Sequence, residues 1–172
     1  GYAMRPGRVW LVMDKRIASA FVMLLCSLAI GANAGSGTLL MTRSAERAEV
    51  SMAVLQEALK SYGYTIAHVQ KCDGGMEEFD YKTDYYRVVF FGKIGEVRPI
   101  IDKHPEMAAY LPLKITVFAE NMESVLVALD PLQLDTFFND PGLSIQFARW
   151  HNDLRAILNE VRDFKKTTKQ SN

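Results

Sequence analysis

Cysteine is close to absent from this sequence: 172 residues hold two, Cys26 and Cys72. Neither lies in a C-x-x-C pair, and the three histidines, His68, His104 and His151, form no H-x-x-x-H. The spacings that mark structural zinc or a metalloprotease helix are therefore missing, and no metal or cofactor is expected. Net charge is +0, which removes the bulk electrostatic case for a nucleic-acid partner. G-x-S-x-G is lacking, as are a P-loop and a G-x-G-x-x-G after a strand, so the nucleophile elbow and the phosphate cradles are excluded. No catalytic residue is assigned. There is no internal repeat and no low-complexity tract. What is abundant is apolar side chain, 49% of the total, enough for one ordinary domain with a core.

The longest apolar run, Ile17–Ile30, is broken only by Ser19 and Ser27 and falls short of the ~20 residues a membrane-spanning helix needs. Asp14-Lys15-Arg16 precedes it, and Gly31-Ala32-Asn33-Ala34 follows with an A-x-A pattern. That layout is a secretory signal peptide cleaved after Ala34, which implies a periplasmic or secreted protein. The alternative is the same segment kept as an anchor. Cleavage leaves sixteen bases against nineteen acids, a net charge of −3, so no anionic membrane attracts the mature chain. It also leaves Cys72 as the one thiol, buried or reactive in an oxidising compartment. The domain expectation is thus 1–34 for upstream residues and signal, and 35–172 for a single domain.

The mature chain reads in order as a strand at Thr38–Thr42, a helix at Ser44–Tyr62 and a strand at Tyr64–Cys72. Ala48, Met52, Leu55, Leu59 and Tyr62 build one helix face, and Gly63 stands where a left-handed residue ends a helix. In the second strand Ile66, His68 and Gln70 share a face, with Ala67 and Val69 opposite. Asp73-Gly74-Gly75 reads as a turn and Met76–Asp84 as a surface loop with at most one helical turn. Tyr86–Gly92 follows as a strand, apolar on both faces, so that both faces call for cover. A helical crossover spans Ile94–Tyr110; within it Pro99 fits the first turn of a helix that starts near Glu96–Val97, and Pro105 opens a second short piece, Glu106–Tyr110. Leu113–Glu120 and Ser124–Asp130 pair antiparallel across a tight connection that contains no glycine. After Asn139-Asp140-Pro141-Gly142, the residues Leu143, Phe147, Trp150, Leu154, Ile157, Val161 and Phe164 form a seam at spacings of three and four, predicting a helix over 143–166. That helix covers either the chain's own sheet or its equivalent in a second subunit.

Several of these segments agree with a known pattern. The helix end Leu59-Lys60-Ser61-Tyr62-Gly63-Tyr64-Thr65-Ile66, the strand end Phe91-Gly92, the run His104-Pro105-Glu106-Met107-Ala108-Ala109-Tyr110-Leu111-Pro112-Leu113-Lys114-Ile115 and the closing Leu129-Asp130-Pro131 resemble the domain of unknown function 302 family from Leu39 to about Phe164. The resemblance implies an α+β fold in which helices back a mostly antiparallel sheet of about four to five strands, in the order β-α-β-β-α-β-β-α. It implies a homodimer in many members and no established reaction. Lys93-Ile94-Gly95 departs from the Asn-Pro that usually follows Phe-Gly.

Two groups of residues are candidates for a site. Phe79, Tyr81, Tyr85 and Tyr86 stand beside Lys82 and Arg87, and rings next to cations hold anionic or planar ligands. The plainer reading is a loop pinned to the sheet by its rings. His68 and Cys72 fall on one strand, but four residues at ~3.3 Å each keep them ~13 Å apart, too far for one metal or a thiolate–imidazole pair. A packed thiol and a half-exposed histidine suffice there. The expectation is a non-enzymatic exported domain that binds a small ligand or an envelope protein. An envelope redox accessory using Cys72 with a histidine is the alternative.

Overall fold

The computed structural model describes residues 37–166. The signal segment and the residues before Gly35 lie outside that range. Among the described residues five strands and four helices follow one another as β1 (Leu39–Ser44), α1 (Ala48–Ser61), β2 (Thr65–Lys71), α2 (Asp73–Glu77), β3 (Tyr86–Gly92), α3 (Ile94–Lys103), β4 (Leu113–Glu120), β5 (Glu123–Leu129) and α4 (Pro141–Asp163), with 3-10 turns at Pro105–Ala109 and Pro131–Thr136. The strands form one sheet in the order β1-β5-β4-β3-β2. Every neighbouring pair is antiparallel. The fold is α+β with a five-stranded antiparallel sheet, within the four to five strands that the resemblance implies.

Residues of one parity on each strand build the core. Val89 and Phe91 of β3, Ile115 and Val117 of β4, and Leu126 and Ala128 of β5 meet Leu55 and Leu59 of α1 and Phe147, Trp150, Leu154 and Ile157 of α4. Each large apolar side chain buried this way contributes about 1.5–3 kcal/mol. Both long helices therefore back one sheet face. α4 covers its own chain's sheet, and the predicted seam is buried from Leu143 to Val161; Phe164 lies beyond the helix end and is exposed. The helix begins at Pro141, whose missing N–H costs nothing in the first turn.

Several boundaries differ from the sequence expectation. α1 starts at Ala48 rather than Ser44, because Ser44 completes the β1 ladder opposite Ser124. Its end is as read: Gly63 adopts φ +83°, Gly63 N–H donates to Lys60 O at 2.9 Å and Tyr64 N–H to Leu59 O at 3.0 Å, a Schellman closure. A bulge between Ile66 and His68 breaks the alternation of β2. Ile66 therefore faces Phe91 and shares the core side with Val69, while His68 and Gln70 lie beside Phe90 and Val88. Asp73-Gly74-Gly75 is the start of the short helix α2 and not a turn. α3 begins two residues early, at Ile94, which leaves Pro99 inside it rather than in its first turn. In the tight β4–β5 connection Asn121 takes φ +58° in place of a glycine; asparagine is among the few residues that tolerate this.

The larger correction concerns the second face of the sheet. Both faces of β3 are apolar, yet neither long helix covers the side of Tyr86, Val88 and Phe90. The antiparallel register extends this side across the sheet in rows: Tyr86 beside Phe118 and Val125, Val88 beside Thr116, Val127 and Met41, Phe90 beside Lys114. At the edge strand Met41 is 63% exposed and Leu39 50%, whereas Tyr86, Val88, Phe90, Phe118 and Val127 are half-buried and Val125 is buried.

Candidate functional site

The predicted aromatic–cation group divides between the two faces. Tyr86 stacks on Phe118 with ring centroids 6.0 Å apart, and Tyr81 meets Tyr86 edge-on at 6.2 Å. His68 stacks over Phe90 at 6.4 Å and bonds to Gln70 Oε1 at 2.9 Å. These three residues sit on or beside the open face. Arg87 has the opposite parity and is tied to the Asp73 carboxylate, which also accepts the Tyr86 N–H at 2.7 Å. Its guanidinium lies 4.2 Å from the Tyr85 ring centroid. Arg87 is thus occupied in holding α2 to β3. Phe79 is 79% exposed, and Lys82 lines a separate polar hollow with Glu77, Thr83 and Asp84. The Cys72 thiol turns to Gln70 O at 3.9 Å. His68 and Cys72 thus each engage Gln70 and not one another.

A second group, not found in the sequence, forms where β3 runs into α3. Lys93 precedes the helix in extended conformation, its Nζ 4.5 Å from the Tyr64 ring centroid and 3.8 Å from Asp153 Oδ2. Tyr64 donates its hydroxyl hydrogen to Asp153 Oδ2 at 2.7 Å. Burial, and then the carboxylate beside it, holds the phenol well above its ordinary pKa. One turn on, Glu96 Oε2 accepts from Trp150 Nε1 at 2.8 Å and from Gln146 Nε2 at 3.1 Å. Arg149 Nη2 donates to Gln146 Oε1 at 2.5 Å. The network straps α3, which has no fully buried residue, onto α4. Its members are separated by some fifty residues, so no local spacing reveals it. The available signal is Lys93-x-x-Glu96 after a strand end, facing Gln146, Arg149, Trp150 and Asp153 on one helix side.

Along the outer side of α3 runs a groove of about 510 Å³ between the helix, the start of β2 and Pro112. Gly92 lies in its floor, and a Cβ there would stand 2.9 Å from Val97 Cγ2. Only glycine lets the helix approach the strand end this closely. A smaller cavity of about 240 Å³ opens on the other side of Pro112, lined by Phe90, Leu111, Leu129 and Leu154, with Tyr110 and Lys114.

The remaining histidines are paired with acids. His151 Nδ1 lies 2.7 Å from Asp130 Oδ1, which also caps the Pro131–Thr136 turn. Among the described residues no hydroxyl or thiol is hydrogen-bonded to His151, so this pair has no nucleophile to activate. His104 stands between Asp140 and Glu106. Among the described residues no three His, Cys, Asp or Glu side chains converge as a metal site would require.

The family model for the domain of unknown function DUF302 matches residues 41–161. Among solved structures the chain is similar to an uncharacterized conserved protein DUF302 from Bacillus stearothermophilus, at 19% identity and a TM-score of 0.65, over 74% of this chain and 100% of that one. That likeness shows a shared fold. A comparison with curated proteins finds no match.

Proposed function

Because the chain belongs to the DUF302 family, whose name carries no reaction, we propose from its own geometry that it is an exported, non-enzymatic binding domain that works as a homodimer. The observation that carries the reading is the open sheet face. Five strands at ~4.8 Å spacing and seven residues at ~3.3 Å rise give a footprint of about 500 Å². Its rows are mainly Tyr, Phe, Val and Met. A patch of that size matches the largest apolar patch of a typical monomer, which is often a functional surface. The face is also self-complementary. Lys114 stands at one end of β4 and the pair Glu120 and Glu123, bridged by Arg43, at the other. A two-fold axis lying in the interface plane and running across the strands brings each lysine toward the partner's acids.

Export is the reading of the basic, apolar and A-x-A sequence before Gly35. Native mass spectrometry of protein purified from the cell envelope tests both parts. The expected species is twice the mass of a chain that starts at Gly35. A chain that retains Met13, or a species of single mass at micromolar concentration, refutes the corresponding part.

A further inference from the structure

The groove along α3 has the dimensions and lining of a ligand site that the fold itself leaves unfilled. Its volume of about 510 Å³ lies within the ~300–1,000 Å³ of small-molecule pockets. The walls are apolar, with Ala67, Ile94, Val97, Ile101 and Pro112 along them. The rim carries two cations, Lys93 and Arg98, and one acid, Asp102. Lys93 Nζ is ion-paired with Asp153 Oδ2 at 3.8 Å and lies 4.5 Å from the Tyr64 ring centroid; the pair is longer than a hydrogen bond, so a ligand carboxylate at the rim shares this ammonium with Asp153. Arg98 makes no hydrogen bond or ion pair among the described residues, and its guanidinium is free for bidentate pairing with a carboxylate.

We propose that this groove binds a free aliphatic carboxylate, the chain lying on Val97, Ile101 and Pro112 and the acid group held by Lys93 and Arg98. An apolar trough with an excess of cation at its rim matches an apolar chain with one anionic end. A peptide added to the β2 edge fits less well. The bulge at Ala67 interrupts the regular row of N–H and C=O groups that strand addition requires. The inference names a ligand for the binding reading and needs no second copy.

Isothermal titration of the full chain with octanoate and with 1-octanol tests it. Octanoate binds the wild type more tightly than octanol does. Exchanging both cations, Lys93→Gln with Arg98→Gln, weakens octanoate about tenfold or more and leaves octanol within about twofold. Ala67→Trp, which fills the trough, removes both. If that variant does not fold, Ile94→Glu carries the point: this residue is 82% exposed, and a carboxylate there repels octanoate and spares octanol. No octanoate heat up to about 1 mM, or unchanged octanoate affinity in the double variant or in Ile94→Glu, overturns the proposal. Sedimentation of the same samples reads the dimer separately, so a monomer that binds octanoate refutes only the dimer.

Discussion

Asp140 shows how one side chain joins distant parts of the chain. Its Oδ1 accepts from the N–H of Gly142 at 2.8 Å and of Leu143 at 3.4 Å, which caps α4. Its Oδ2 lies 3.0 Å from His104 Nε2 and 3.3 Å from Lys103 Nζ at the end of α3. The His104 contact first, then the capping N–H, hold the carboxyl at a pKa of about 2, below the ordinary 3.8. A depressed folded-state value means stability that is fully present above the unfolded value and lost as pH falls through the folded one. Asp140→Asn keeps a good cap but loses the charge. The variant is therefore less stable than wild type in urea melts at pH 6, and the gap closes between pH 4 and pH 2. A gap that stays constant across that window assigns the residue to capping alone. The sequence reads Asn139-Asp140-Pro141-Gly142 as a turn before a helix at 143, whereas the helix already begins at Pro141 with Asp140 as its cap; the link to His104 is not legible at all, because thirty-six residues separate the partners.

At the scale of elements, the sequence tells most where one period runs unbroken. α4 is legible because its seam repeats at three and four without interruption; the structure buries that seam from Leu143 to Val161 on one chain's own sheet. β2 is misread because a single extra residue, Ala67, moves Ile66 to the other face, and a bulge has no signature in a seven-residue strand. The strap between α3 and α4 is illegible for a different reason: Glu96 looks like a surface acid until Trp150 is placed above it. Trp150 is 1% exposed, packs against Phe147 at a centroid distance of 6.0 Å and donates to Glu96. Trp150→Ala removes both ring and donor, with an expected cost of about 3–5 kcal/mol. Trp150→Phe keeps most of the ring and leaves Glu96 with Gln146 alone, so about 1–3 kcal/mol is expected. Denaturant melts that find the two variants equal would assign Trp150 to the hydrogen bond rather than to packing.

At the scale of the molecule, the sheet face that no long helix covers among the described residues is the surface on which a partner would act. The apolar character of both sides of β3 is plain in Val88-Val89-Phe90-Phe91, but which side the chain itself covers is a matter of topology. α1 and α4 both return to the Val89 side, and the two strands that border the sheet, β1 and β2, bring no further long helix to the other. A second copy is the cover that the charges at the two ends of β4 favour. In the proposed homodimer the two sheets align within about 30° and sit ~10 Å apart, and Val127, at the centre of the middle row beside Thr116 and Met41, is the residue that tests the contact. The consequence is a melting temperature that depends on concentration. A hundredfold rise in concentration favours association by ~2.7 kcal/mol per dimer, about half of that per chain, or roughly 3–8 °C for a domain of this size. Val127→Lys puts an unpaired cation in the middle of the face, which costs nothing while the face is wet and a great deal once it is dry. Its melting temperature is expected to match that of dilute wild type and to stay flat across the series, whereas Trp150→Ala, altered in the core, shifts the whole wild-type curve downward and keeps its slope. A wild type whose melting temperature does not move over that hundredfold range leaves the face to a different partner and removes the homodimer.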